Sequence, residues 1–249
     1  MDNIIEVKDF SMTFGSTKVI ENLNFSVRRG ETFGFLGCNG SGKTTTIRAL
    51  LGIYIPTSGE LLINGKPYSV DSGIKLGYLP EERGLYKKES VIDIMTYFGQ
   101  LKGMSKADAR KASYNFLKRV KLEDKAKTRL DKLSGGQQQK IQLGITTLDN
   151  PDLLILDEPT KGFDPVNRKL LIDIIKEHQK KGATIIMITH QMEEAEKLCD
   201  RIILLKNGNA YAYGTVEKIK KEHGNKSLND IFLSVYGDEN MSETEVEDV

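Results

Sequence analysis

Nine consecutive residues at positions 37–45, with the sequence GCNGSGKTT, constrain this chain more than any other stretch. They follow a short apolar run at 33–36 and precede a helix-like run that ends at Leu51. The sequence of this loop matches the pattern G-x-x-x-x-G-K-[ST], and the loop lies between a predicted strand and the start of a predicted helix. In such a loop, backbone N–H groups and the positive end of the helix surround a phosphate. The pattern therefore predicts an α/β core built around a phosphate-binding loop.

Each part of this loop has its own role in binding a nucleotide. The glycines let the chain wrap around the phosphates, Lys43 reaches the β- and γ-phosphates, and the Thr44 hydroxyl binds Mg²⁺. A chance match in a glycine-rich turn is the alternative, and a loop of this kind does not specify the reaction that follows. The residues predicted to contact the nucleotide are Gly37, Cys38, Asn39, Gly40, Ser41, Gly42, Lys43, Thr44 and Thr45.

Composition argues against several classes of protein. Lys and Arg number 36 against 35 Asp and Glu, so no net field attracts nucleic acid, and we expect no nucleic-acid partner. Cys38 and Cys199 form no C-x-x-C pair, which fits a reducing compartment without a disulfide framework. No apolar run approaches the roughly 20 residues that span a bilayer, and residues 1–6 do not resemble a signal peptide. We therefore expect a cytosolic chain, and any membrane process that it serves needs a second polypeptide.

Along the chain, a helical region separates two strand-rich regions. Alternating apolar residues predict strands between 4 and 35, and the continuous apolar run at 184–189 is typical of a parallel strand covered on both faces. Between these regions, Ser105 and Gly135 mark predicted helix starts. The predicted boundaries are a core at 1–88 and 151–214, a helical subdomain at 89–150, a C-terminal extension at 215–235, and an acidic tail at 236–249 that we expect to be disordered.

Two adjacent carboxylates end the apolar run at 153–156. A parallel strand presents its carboxyl end to the ligand crevice, so Asp157 is a candidate ligand of Mg²⁺ and Glu158 a candidate base for the attacking water. Adjacent acids at a strand end are, taken alone, more typical of a solvated edge. The phosphate loop upstream favours the catalytic interpretation.

A second glycine-bearing helix start follows at 133–137, with the sequence LSGGQ. Its serine hydroxyl and backbone N–H groups could form a second anion site or simply cap a helix, and the residues alone leave both open. Ser134 precedes Asp157 by 23 positions (157 − 134), and His190 follows that acid by 33 positions (190 − 157). His190 comes directly after an apolar strand, where it could hydrogen-bond a γ-phosphate. His178 lies on a polar helical stretch, and we expect it at the surface.

These motifs and their order, over about residues 1–235, resemble the ATP-binding cassette (ABC) ATPases. The chain has a P-loop, a segment similar to the Q-loop at 79–83, the LSGGQ signature, a Walker B strand with a trailing glutamate, a D-loop at 161–164 and the switch residue His190. The resemblance implies a P-loop NTPase (RecA-like) α/β core with an antiparallel β subdomain and an inserted α-helical subdomain. It also implies Mg²⁺-dependent ATP hydrolysis, with Glu158, His190 and Lys43 as catalytic residues.

The same resemblance implies a head-to-tail dimer, either a homodimer or a pair with a related ATPase. In such a dimer, ATP bound to one P-loop is covered by the signature of the partner. Phe14 falls where this family stacks an aromatic ring on adenine, although a lone aromatic could equally belong to the core. The signature residues expected to contact the nucleotide are Ser134, Gly135, Gly136 and Gln137.

Two positions depart from the family's pattern. Glu81 stands where the Q-loop usually has a glutamine that bridges Mg²⁺ and the membrane partner. A carboxylate binds Mg²⁺ more strongly but adds negative charge beside the γ-phosphate, so Glu81 is a third candidate metal ligand whose effect on rate has no predicted sign. Cys38 replaces a common proline, and we expect this change to be tolerated because the side chain need not touch phosphate.

The resulting hypothesis is an ATPase subunit, peripheral on the inner face of the cell membrane, that drives a separate integral membrane permease. The motion is expected to pass through a groove near 81–86. Runs at 79–86 and 227–233 are similar to exporter subunits of the sodium-extrusion and multidrug kind, but no residue indicates the substrate. The alternatives are a soluble ABC ATPase without a transport role and an ATP-gated regulatory module with little turnover.

Overall fold

The computed structural model describes residues 2–69, 72–82 and 88–243, which divide into two compact units. The first unit takes its residues from 1–73 and 184–249, and the second from 74–183. In chain order the elements are β1 (Asn3–Phe14), β2 (Thr17–Arg28), β3 (Thr32–Leu36), α1 (Lys43–Leu50), β4 (Ser58–Ile63), β5 (Leu76–Leu79), α2 (Val91–Leu101), α3 (Lys106–Arg119), short 3-10 turns at Glu123–Lys125 and Leu130–Lys132, α4 (Gly135–Thr147), β6 (Leu153–Asp157), α5 (Pro165–Lys180), β7 (Thr184–Thr189), α6 (Met192–Leu198), β8 (Arg201–Lys206), β9 (Asn209–Thr215), α7 (Val216–Glu222) and α8 (Leu228–Glu243).

One sheet of the first unit is antiparallel, with the strand order β2-β1-β4. Its longest pairing joins β1 to β2, and buried apolar residues alternate with polar ones in the second half of β2, as the sequence predicted. Leu23, Phe25 and Val27 are the buried members of the β2 alternation. The turn after β4 uses Asn64 and Gly65, both in the left-handed conformation that a tight turn of this kind requires.

A second set of strands in the first unit carries the phosphate loop. Strand β3 lies between β7 and β8, parallel to both, and β9 pairs antiparallel with the outer side of β8. All residues of β3 and β7 are buried, as expected for parallel strands that helices cover on both faces. Because parallel strands end at the same edge, the loops that follow β3 and β7 begin next to each other.

The second unit combines a pair of parallel strands, β5 and β6, with the helices α2 to α5. Serine side chains cap three of these helices: Ser90 caps α2, Ser105 caps α3 and Ser134 caps α4. The helix starts predicted at Ser105 and Gly135 are therefore confirmed. The helical core is apolar, and its fully buried members include Val91, Met95, Leu117 and Ile141.

Several sequence predictions need correction. Leu101 continues the helical spacing of the buried Ile94 but is 64% exposed, because α2 ends at this residue. His178 was expected at the surface but is buried, because it continues the buried stripe of Leu171 and Ile174 on α5. Burial lowers the pKa of His178.

The C-terminal region also differs from the prediction. Helix α8 extends to Glu243, beyond the predicted start of a disordered tail at 236, because its buried apolar face anchors the helix from Leu228 to Tyr236. Residues 244–249, where the rest of that tail was predicted, lie outside the described residues. Within the ranges described above, no helix has the length and apolar character that a membrane crossing requires.

Candidate functional site

The loop between β3 and α1 is shaped by glycines in left-handed conformations. Gly42, the residue before α1, has φ = 100° and offers the helix no side-chain cap. A Cβ at this position would lie 2.2 Å from Ile20 Cδ1, and a Cβ at Gly37 would lie 2.5 Å from Ser41 Oγ. Both positions therefore require glycine, for conformation and for space. The result is a helix N-terminus whose capping position is left open for an external anion.

The Lys43 side chain folds back under this loop. Its Nζ donates hydrogen bonds to the carbonyl oxygens of Gly37 and Cys38, both at 2.8 Å, and the residue is only 8% exposed. The Ser41 hydroxyl is buried and has no hydrogen-bond partner within the part of the chain that the structure describes. A buried ammonium, an unpartnered hydroxyl and a glycine-lined turn fit the phosphate chain of a nucleotide.

His190 begins the loop next to the phosphate loop. Residue Leu36 of β3 pairs with Thr189 of β7, so Gly37 and His190 directly follow paired residues on neighbouring parallel strands. The His190 side chain is exposed. The fold of the first unit thus brings the predicted switch histidine to the edge of the sheet from which the phosphate loop also emerges.

The Phe14 ring lies at the end of β1 and is 45% exposed, so it does not belong to the core. It packs edge-on against Tyr54, with ring centroids 5.3 Å apart, and Arg48 donates a hydrogen bond to the Tyr54 hydroxyl at 3.1 Å. An exposed aromatic with a supporting ring is suited to stacking on a base. Sequence analysis missed Tyr54, because no local pattern relates it to Phe14 forty positions earlier.

The predicted catalytic carboxylates follow the buried strand β6. Asp157 is 4% exposed and Glu158 is 6% exposed, which rules out the solvated-edge interpretation. The Glu158 backbone has φ = 46°, a left-handed conformation that costs a residue other than glycine about 1–2 kcal/mol. Such strained residues cluster at functional sites. A short turn, in which the Lys161 N–H donates to the Glu158 carbonyl at 3.1 Å, holds this conformation.

The LSGGQ segment forms a reciprocal cap at the start of α4. The Gln137 N–H donates to the Ser134 hydroxyl at 3.3 Å, and the Ser134 N–H donates to Gln137 Oε1 at 2.9 Å. Ser134 is exposed, and a Cβ added to Gly136 would meet nothing closer than the Phe163 ring at 4.0 Å. The capping role is therefore observed, and the surface above the helix end is open to a ligand.

Glu81 and the D-loop meet beside Glu158 in the second unit. Leu79 of β5 pairs with Leu156 of β6, so the segments that follow both strands start side by side. Glu81 accepts a hydrogen bond from Lys161 Nζ at 2.6 Å, and both residues line, with Glu158, a cavity of about 440 Å³. Glu81, and to a smaller extent Glu158 and Asp157, raise the pKa of Lys161. Sequence analysis missed this role of Lys161, since a charge pair 80 positions apart leaves no local signal.

Two points bear on the predicted metal ligands. The described residues contain no cluster of three or more His, Cys, Asp or Glu side chains that could hold a metal ion. Thr44 and Asp157 nevertheless offer the hard oxygen donors that Mg²⁺ prefers, and Mg²⁺ in such sites takes its other ligands from phosphates and water. The assignment of Glu81 as a metal ligand stays a prediction, and residues 83–87 of the neighbouring segment lie outside the described residues.

Comparisons with known proteins agree with the sequence motifs. The profile of the family described as ABC transporter matches residues 20–161. An uncharacterised ABC transporter ATP-binding protein of Methanocaldococcus jannaschii is 45% identical over 86% of this chain and 79% of its own length. A Nod factor export ATP-binding protein of a Rhizobium species is 36% identical over 92% of this chain and 76% of its own length.

A solved structure described as the ATP-binding subunit of an ABC transporter superposes with a TM-score of 0.85. It shares 32% identity with this chain, and the match covers 93% of this chain and 98% of the other. The predicted fold class, with its antiparallel sheet, its parallel strands and its inserted helices, is confirmed.

Proposed function

This chain belongs to the ABC transporter family of ATP-binding proteins, and from that membership we propose that it hydrolyses ATP with Mg²⁺ to drive a separately encoded membrane permease. The observation that carries this proposal is the phosphate loop, in which the buried Lys43 ammonium and the uncapped start of α1 face one turn. The buried Asp157 and Glu158 support hydrolysis rather than binding alone, because they lie at the carboxyl end of a buried parallel strand, where α/β proteins place their ligands and reacting groups.

We assign the following tasks to the residues of this chain. The N–H groups of the loop, the Ser41 hydroxyl and Lys43 hold the phosphates, and Phe14 stacks on the base. Thr44 and Asp157 would hold Mg²⁺, which would neutralise charge on the phosphates. Glu158 accepts a proton from the attacking water, and His190 donates a hydrogen bond to the terminal phosphate. The Lys161–Glu81 ion pair lines the cavity beside Glu158.

The signature residues are proposed to act on the nucleotide of a partner subunit. Ser134 is exposed at the start of α4, where backbone N–H groups and the helix dipole favour a negative charge. Two such subunits, identical or related, would close head to tail on two ATP molecules and part after hydrolysis. We propose that the helical subdomain at 89–150 receives the membrane partner, that the segment near 81–86 transmits the motion, and that the chain is peripheral on the inner face of the membrane.

Transport directed outwards is the direction that we propose, because a relative that covers most of this chain is described as an export ATP-binding protein. The chemistry of the transported substrate belongs to the permease.

Purification of the chain from detergent-solubilised membranes tests the proposed association with a membrane permease. We expect an integral membrane protein to copurify, whereas copurification with ribosomes or DNA would contradict a role in transport.

Hydrolysis is tested by Glu158→Gln, which keeps the shape of the side chain but removes its basicity. We expect ATP to bind with a Kd within about threefold of wild type and phosphate release to fall by a factor of about 100 or more. The variant is also expected to elute as a dimer in Mg-ATP. Glu217→Gln, the same change on the exposed first turn of α7, is the control. Unchanged phosphate release in Glu158→Gln would remove Glu158 as the base.

A further inference from the structure

We propose that the C-terminal helix α8 positions the phosphate loop, with Tyr236 acting as a positioning residue through the backbone carbonyl of Leu205. This inference deepens the proposed function and rests on it for its nucleotide readout. Tyr236 is buried at 5% exposure, and its hydroxyl donates a hydrogen bond to the Leu205 carbonyl. No residue of α8 belongs to the motifs from which nucleotide binding was predicted.

The Leu205 carbonyl connects this tyrosine to the first glycine of the loop. Strand β8 pairs with β3 as far as Leu204 opposite Leu36, and its pairing with β9 is irregular between Leu204 and Leu205. The Leu205 carbonyl thus lies just past the regular ladder, where an irregularity can redirect a backbone group. A Cβ at Gly37 would lie only 2.8 Å from this oxygen. The same oxygen therefore lies beside Gly37 of the phosphate loop and accepts the tyrosine hydrogen bond.

From Gly37 the path reaches the phosphate-binding lysine in one further contact. The Gly37 carbonyl accepts a hydrogen bond from Lys43 Nζ at 2.8 Å. The next residue, Cys38, packs against a buried apolar cluster that contains Leu36 of β3 and Tyr236 of α8. A shift of α8 would consequently move both the Gly37 carbonyl, which accepts from Lys43, and the Cys38 side chain.

Helix α8 is itself fixed at both ends of its packed face. At its start, the Leu228 N–H donates to Glu196 of α6 at 3.0 Å, and Lys220 of α7 pairs with the same carboxylate. Near Tyr236, Lys206 Nζ donates to the Val235 carbonyl at 2.6 Å. The last contact joins α8 to Lys206, the residue that follows Leu205, so α8 holds the end of β8 beside the phosphate loop.

Tyr236→Phe tests the inference because it removes only the hydroxyl. Without its donor, the Leu205 carbonyl can shift, and we expect the loop to loosen. The net worth of one hydrogen bond predicts that the Kd for ATP rises about fivefold while kcat changes less than twofold. The control is Tyr211→Phe, which removes the hydroxyl of an exposed tyrosine on β9.

A second readout needs no nucleotide. The chain has two cysteines, the half-buried Cys38 in the loop and the buried Cys199, whose pKa burial raises. The rate at which a thiol reagent modifies each cysteine, followed by mass spectrometry of peptides, separates local from global loosening. In Tyr236→Phe we expect Cys38 to react about fivefold faster than in wild type and in Tyr211→Phe, with Cys199 unchanged.

The outcomes distinguish this inference from the proposed function. Equal Cys38 rates in Tyr236→Phe and Tyr211→Phe would overturn the inference, even if the wild type hydrolyses ATP. A rise in Cys38 and Cys199 rates together would also overturn it, because Tyr236 would then be merely structural. If Cys38 alone reacts faster in Tyr236→Phe, and the wild-type protein does not bind ATP, the result would support the inference and contradict the proposed function.

Discussion

Two glycine-bearing helix starts, one in each unit, contain the residues that we expect to contact ATP, but they satisfy their backbone groups differently. Helix α1 begins after Gly42, whose left-handed backbone brings no side chain to the helix end. Helix α4 begins after Ser134, whose hydroxyl and backbone N–H both exchange hydrogen bonds with Gln137. The first helix end therefore depends on an external anion, whereas the second already pairs the N–H groups of Ser134 and Gln137 within the chain.

This difference suggests a division of labour between the two ends. A buried lysine and an uncapped helix end are suited to binding phosphate within a single subunit. A capped and exposed serine contributes little until another molecule delivers a phosphate to it. The comparison predicts that changes at α1 abolish nucleotide binding, and that changes at α4 affect only steps that need two subunits.

The largest effect is expected for Lys43→Ala. Removing the ammonium takes away the charge-assisted contacts to the phosphates, so we expect the Kd for Mg-ATP to rise by a factor of about 100 or more and hydrolysis to become undetectable. Lys140→Ala, in α4, is the matched control and is expected to bind ATP normally. Calorimetric titration with ATP measures both. Normal binding by Lys43→Ala would end the view that α1 is a self-sufficient site.

A smaller, selective effect is expected for Ser134→Arg. The bulky side chain blocks the approach of a second subunit, so turnover should fall about 10-fold to 100-fold while the Kd for ATP of a single subunit stays within twofold. Loss of the helix cap alone should cost about 1 kcal/mol of unfolding free energy.

Ser105→Ala is the control for the lost cap, because Ser105 caps α3 through the N–H of Asp108 in the same way. It should be destabilised to a similar extent, as judged by urea unfolding, and should keep full turnover. Turnover that is strictly first order in enzyme at every dilution, and unchanged by Ser134→Arg, would show that the second helix end has no partner.

How far the sequence predicted this molecule depends on the distance between the residues concerned. The loop at 37–45, the caps at Ser105 and Ser134 and the buried strand β7 all follow from patterns within a few residues. The burial of His178 was also readable, since Leu171, Ile174 and His178 recur at helical spacing. The polar neighbours of His178 on α5 favoured a surface position, whereas its helical spacing with Leu171 and Ile174 indicates the buried face.

Other features depend on contacts that no local pattern records. The Tyr236 hydrogen bond joins residues 31 positions apart, and the Glu81–Lys161 pair joins residues 80 positions apart. The left-handed backbone of Glu158 was equally hidden, because that conformation is expected of glycine or asparagine rather than of glutamate. The roles of the site residues stay predictions until they are measured.

The backbone of Glu158 extends the comparison of the two units. The phosphate loop places glycines at its left-handed positions, whereas the turn after β6 places a glutamate there. Glu158→Asn should relieve this strain, because asparagine tolerates the conformation better, and raise the unfolding free energy by about 1 kcal/mol while abolishing turnover. Urea unfolding with Glu158→Gln as the control measures the effect. Equal stability of the two variants would mean that the backbone is not strained.

The smallest effect is expected at the Glu81–Lys161 ion pair of the second unit, which is exposed, whereas Lys43 of the first unit is buried. Both side chains are exposed, at 43% for Glu81 and 60% for Lys161, so water and salt screen their attraction. We expect Glu81→Gln to leave the Kd for Mg-ATP within about twofold of wild type. The turnover rates of Glu81→Gln, Lys161→Gln and the double variant give the coupling between the two residues, which we expect to change turnover by no more than about threefold.

This coupling should disappear at an ionic strength near 1 M, where the Debye length is about 3 Å. The exposed Glu6–Lys8 pair of the first unit, with a distance of 2.9 Å, is the matched control and should show no coupling in turnover. A collapse of Mg-ATP binding in Glu81→Gln would instead identify Glu81 as a metal ligand. In that case the second unit would contribute two carboxylates, Asp157 and Glu81, to the Mg²⁺ site of its own subunit instead of one, and the contrast between the two helix starts would be weaker.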